Sequence, residues 1–128
     1  MRLPPSLRLG LYATGAVVTA SGLAWLASQH GRSALMQIHG TASMALLVLI
    51  GAVTALHAPA GWRERKNRWS GATVAGALTF LALTGLLLYY LGDERARAMT
   101  SLWHWTVGVL AAAALGVHVW LGARRAGS

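Results

Sequence analysis

Residues 98–123 read AMTSLWHWTVGVLAAAALGVHVWLGA, 26 consecutive positions without Asp, Glu, Lys or Arg. A membrane span needs about 20 such residues to cross roughly 30 Å of hydrocarbon. The stretch therefore decides the fold class, because it is built as a helix that sits in lipid. His104 and His118 stand 14 positions apart within it. At about 100° per residue that separation falls some 40° short of four full turns, so both imidazoles lie on one stripe of the helix. An ionisable or metal-ligating side chain at membrane depth is costly enough that its presence there is a functional hypothesis by default.

Working outward, three more runs lack charge, at 9–31, 33–62 and 69–92. The second is too long for one simple span, and Pro59 disfavours helical geometry at Ala58, so that helix is predicted to end near His57. The expected spans are then about 9–28, 36–57, 70–91 and 101–121, a single transmembrane domain over 1–128. The predicted fold class is all-α, an integral membrane four-helix bundle. The second span also carries a histidine pair, His39 and His57, 18 positions apart. That is about five turns, again one stripe.

Charge sets the expected orientation. Arg2, Arg8, Arg63, Arg65, Lys66, Arg68, Arg124 and Arg125 fall on one side of the spans, and only Arg32, Arg95 and Arg97 fall on the other. Cytoplasmic loops carry the excess of Lys and Arg, so both termini are expected in the cytoplasm of a prokaryotic cell, with a multi-pass chain in its inner membrane. The net charge of +8 is accounted for by topology and attraction to anionic lipid, which excludes a nucleic-acid partner from the reading. Arg2 and Arg8 before an apolar run imitate a secretory signal. The uncharged run 9–31 is longer than the usual apolar core of such a signal, and it is read as the first span. There is no cysteine, hence no disulfide framework, no thiolate metal site and no covalent haem attachment.

In this topology the second and fourth spans run in the same direction. His39 and His104 are then expected near the outer face, and His57 and His118 near the inner face. Within each helix the two histidines are separated by about 21 to 27 Å of rise, so four imidazoles cannot share one ion. Zinc ordinarily takes four ligands, and the only acidic residues, Glu64, Asp93 and Glu94, are expected in loops. Haem removes the shortfall, since the porphyrin supplies four in-plane nitrogens and asks the protein only for axial ligands. Two histidines at each level match that demand: His39 with His104 for an outer haem iron, His57 with His118 for an inner one.

With these residues in place the chain resembles the four-helix membrane cytochromes b. In the cytochrome b subunit of quinol:cytochrome c oxidoreductases, two parallel helices each supply two histidines, commonly 14 apart, to a pair of stacked haems. His104 and His118 reproduce that interval, while His39 and His57 exceed it by four residues, about one turn or 6 Å. The resemblance implies transmembrane electron transfer through two bis-histidine b-type haems, or through one if only the outer pair is complete. It further implies a membrane subunit of a respiratory or quinone-linked redox complex, with membrane lipid, a redox protein and a quinone or quinol as partners. No substrate chemistry is expected at six-coordinate iron.

Gly71 and Gly85 are also 14 apart and are candidate cofactor-binding positions, where a flat macrocycle gains room against the third helix. Ordinary small-residue packing is the alternative. Trp25, Trp62, Trp69, Tyr89, Tyr90, Trp103, Trp105 and Trp120 gather near span ends, as interfacial belts do. His30 is expected in an outer loop, and Met36, Met44 and Met99 are weaker axial-ligand candidates than the histidines. Arg32, Arg95 and Arg97 outside, and Arg63, Arg65, Lys66 and Arg68 inside, suit haem propionates or simply set topology. Two readings from other classes stay open: a non-haem structural or assembly subunit whose histidines bond between helices, and a small metal-binding transporter, which would be expected to carry more polar residues along its spans.

Overall fold

A computed structural model describes residues 3–28, 30–63 and 68–126. They form four helices, α1 (Pro5–Ala27), α2 (Arg32–Arg63), α3 (Arg68–Tyr90) and α4 (Glu94–Ala126). The all-α expectation holds, and all four helices are long and apolar enough to cross a membrane. The shortest, at 23 residues, extends about 34 Å at 1.5 Å per residue. Large apolar side chains stand exposed on every helix, among them Leu9, Val48, Leu83 and Leu110. A helix apolar all round is one that meets other apolar surroundings on every side.

The helices pair as two hairpins, α1 with α2 and α3 with α4. Each hairpin is a compact unit in itself. In the second, Gly71 lies against His118, Leu81 against Gly108, and Gly85 against His104. Every step along α3 is matched by an equal step back along α4, so the pair is antiparallel with one constant register. In the first hairpin Gly22 lies against His39 and Gly10 against Leu49, which is antiparallel too. Glycine on one helix thus repeatedly receives a large side chain of its neighbour, a packing in which small residues let apolar helices approach.

The turns have local causes. α1 closes with the Ser28 amide on the Ala24 carbonyl at 2.9 Å. Gly31, at φ 69°, takes the left-handed conformation that glycine adopts without a Cβ penalty. Ahead of α4, Asp93 accepts a hydrogen bond from the Ala96 amide at 2.7 Å, the contact of an N-cap. Arg97 reaches back and donates to the Leu91 carbonyl from Nε at 3.1 Å and Nη2 at 2.7 Å.

Two expectations are corrected. Helix α2 does not end near His57 but runs through Pro59 to Arg63. Proline has no N–H, so the Ala55 carbonyl loses its intrahelical donor. That is a single bond near the helix end, flanked by Ala58 and Ala60. Glu94, expected in a loop, opens α4, which begins seven residues before the predicted start at Ser101 because Asp93 caps it there.

Candidate functional site

Among the described residues only Ser21, Val74, Thr84 and Ala111 are buried. Two of these four are hydroxyl residues, and each faces a histidine. On α2, half-buried His39 has Nδ1 at 3.3 Å from Ser21 Oγ and 3.0 Å from the Val18 carbonyl oxygen of α1. On α4, His104 Nδ1 lies 2.8 Å from Thr84 Oγ1 of α3. Two turns before the end of α4, His118 Nδ1 lies 3.0 Å from Ser70 Oγ, also of α3.

A glycine follows each of these hydroxyl residues in sequence, and each glycine sits under the same imidazole. A Cβ on Gly22 would come within 3.3 Å of His39 Cε1, one on Gly85 within 3.3 Å of His104 Cε1, and one on Gly71 within 3.5 Å of His118 Cε1. Contacts of 3.3 Å are tighter than ordinary van der Waals packing. The three sites therefore share one construction: a Ser-Gly or Thr-Gly pair on the antiparallel neighbour, with the hydroxyl at Nδ1 and the bare backbone at the ring edge. Successive helical residues point about 100° apart, which lets one serve the nitrogen and the next clear the carbon.

Ser21 and Thr84 are themselves anchored. Ser21 Oγ donates to the Val17 carbonyl at 2.7 Å, and Thr84 Oγ1 donates to the Phe80 carbonyl at 2.8 Å. This back-bonding to the preceding turn is a common way for a hydroxyl to be satisfied inside an apolar helix.

No protein-family model, curated protein or solved structure matches this chain.

Gly71 and Gly85, the candidate cofactor-binding positions, lie against the rings of His118 and His104. His57 lies on α2 and is exposed. The register that sets Gly10 against Leu49 carries His57 past the first residue of α1 at Pro5, so no Ser-Gly or Thr-Gly pair of α1 stands across from it. Because α2 is continuous, the 18 residues from His39 to His57 are a helical interval of about 27 Å, against about 21 Å from His104 to His118.

His30 is exposed in the turn between α1 and α2, where Ser28 Oγ donates to its carbonyl. Met36, Met44 and Met99 are exposed. Arg32 donates to the Ser28 carbonyl at 2.9 Å and stacks over Trp25, while Arg124 stacks over Trp120 at 3.9 Å. These arginines, like Arg97, are held to their own hairpins. Arg2, Glu64, Arg65 and Lys66 lie outside the described residues, as does the side chain of Arg125. Among the described residues no cluster of three or more His, Asp or Glu is placed to hold a metal ion.

Sequence reasoning missed Ser21, Gly22, Ser70 and Thr84. Their dipeptides were visible, but Thr14-Gly15 is the same dipeptide, and Gly15 has nothing within 4 Å of its Cβ position. The doublet becomes a signal only when the antiparallel register sets a histidine across from it.

Proposed function

We propose that the chain is an integral membrane electron carrier holding b-type haem through His39, His104, His57 and His118. Two haems are expected, His39 with His104 outside and His57 with His118 inside. The observation that carries this reading is that three imidazoles, on helices long and apolar enough to cross a membrane, are each backed by a hydroxyl and cleared by a glycine. Metal-ligating histidines are oriented in this way by the partner of their other ring nitrogen. The donor set fits haem: neutral imidazoles, no thiolate, and no carboxylate in the apolar segments. His104 and His118 are too far apart along α4 to serve one iron, so each needs a second imidazole from beyond α4.

Haem bound there would supply a one-electron couple, held by the imidazoles of His39, His104, His57 and His118. The protein's part is to bind and orient the rings and keep water from them. Net charge and the Lys and Arg distribution support a multi-pass chain of a prokaryotic inner membrane with both termini in the cytoplasm. The short connections support a role as the membrane subunit of a respiratory or quinone-linked complex, with a redox protein and a quinone or quinol as exchange partners. The competing reading is a non-haem packing role, in which the same hydroxyl-to-imidazole contacts serve only to join the helices of each hairpin.

The test is a reduced-minus-oxidised spectrum of the detergent-purified protein with pyridine haemochrome quantification. Two haems b per chain, with a sharp low-spin signature, are expected. One haem would restrict the reading to the outer pair, and none, from cells with ample haem, would leave the packing role.

A further inference from the structure

A hydroxyl has one proton. In Ser21 and Thr84 that proton is committed to the helix's own backbone, at 2.7 Å to the Val17 carbonyl and 2.8 Å to the Phe80 carbonyl. What each oxygen turns toward the imidazole is a lone pair. The ring nitrogen at 3.3 Å in His39, and at 2.8 Å in His104, is then the donor. At His39 a second acceptor gives the same answer independently, because the Val18 carbonyl, which only accepts, lies 3.0 Å from the same Nδ1. A neutral imidazole with its proton on Nδ1 carries its lone pair on Nε2.

We infer that Ser21 and Thr84 are positioning residues that hold His39 and His104 as Nδ1–H tautomers, making Nε2 the ligating atom. The iron-facing half of this inference rests on the haem reading; the tautomer half does not. The choice of acceptor has a consequence for the iron. A hydroxyl already donating to a carbonyl is a weaker acceptor than a carboxylate, so it orients the ring without drawing the imidazole far toward imidazolate. Ligand basicity, and with it the preference for ferric iron, follows the strength of that bond. Removing the hydroxyl leaves a less electron-rich imidazole and raises the reduction potential. Gly22, Gly85 and Gly71 fix the other coordinate of each ring by admitting its Cε1 edge.

Two readouts on the full-length protein in detergent test this. Proton–nitrogen spectra of histidine-labelled protein, kept reduced, should find the proton of His104 on Nδ1. Thr84→Ala should shift that signal toward the other tautomer or an exchanging mixture, and Thr84→Ser should restore it. Ser21→Ala should move His39 less, since the Val18 carbonyl still accepts. Redox titration of the same variants should show a positive shift of one haem in Thr84→Ala, reversed in Thr84→Ser. His104 protonated on Nε2 in the wild type, or a Thr84→Ala protein unchanged in both readouts, overturns the positioning role even if haem is bound. A chain that purifies without haem yet keeps the Nδ1 proton overturns the haem reading and upholds the tautomer.

Discussion

His104 Nδ1 and Thr84 Oγ1 lie 2.8 Å apart across the α3–α4 hairpin, and the residue after Thr84 is the glycine whose Cβ position is 3.3 Å from the same ring. One dipeptide therefore supplies both the polar partner and the space for an imidazole. Ser70-Gly71 does the same for His118, and Ser21-Gly22 for His39.

Filling the space should disturb the ring before it disturbs the helix. Gly85→Leu is expected to displace His104, at an overpacking cost of about 1–3 kcal/mol, and to lower the haem content of the purified protein. Gly15→Ala is the control, since nothing lies within 4 Å of its Cβ position, and it should be neutral or stabilising by about 0.5–1 kcal/mol through helix propensity. Haem-to-protein ratio and thermal midpoint, measured together, separate the two effects.

Removing single ligands should be selective. His104→Ala and His39→Ala are each expected to abolish the same haem, and His118→Ala the other. Haemochrome stoichiometry combined with redox-resolved spectra reads this directly. Retention of full haem content by any of these variants sinks that residue's assignment, and loss of both haems in one variant means the two sites depend on each other.

Pro59 interrupts the bonding of a helix that continues past it to Arg63. Pro59→Ala returns a donor to the Ala55 carbonyl, and a proline inside a helix costs about 3 kcal/mol or more. The substitution should raise the thermal midpoint in detergent by a few degrees without changing the haem spectrum. A lowered midpoint would show that the missing hydrogen bond at Pro59 is used by the fold.

Orientation is testable with reporters. On the proposed orientation, a periplasm-active reporter fused in the connection after Gly92 should be active, and one fused in the connection between α2 and α3 should be inactive, following the distribution of Lys and Arg. Moving the excess charge, by Arg95→Glu with added Lys at the same connection as comparison, should leave the first case intact and weaken the second.

Much of the architecture could be read from the chain alone because it depends on local properties. Absence of charge over more than 20 positions, and histidines spaced near whole helical turns, are visible without knowing which helix touches which. The four helices and the shared stripe of His104 and His118 came from that kind of information. The end of α2 did not, because proline lowers the probability of helix at one carbonyl but the remaining bonds of a long apolar segment outweigh it.

The interval shared by Gly71 with Gly85 and by His104 with His118 was legible as a number, while its meaning was not. Only the antiparallel pairing of α3 with α4 sets Gly71 on His118 and Gly85 on His104, and only that pairing turns Ser70 and Thr84 from ordinary helix residues into the partners of ring nitrogens. The physical reason is that a periodic apolar pattern specifies which face a residue occupies on its own helix, whereas a contact needs the register of two helices. Where nearly every position is apolar, hydropathy is almost blind to that register. It is chosen by the few places where small residues let backbones approach and a hydroxyl meets an imidazole.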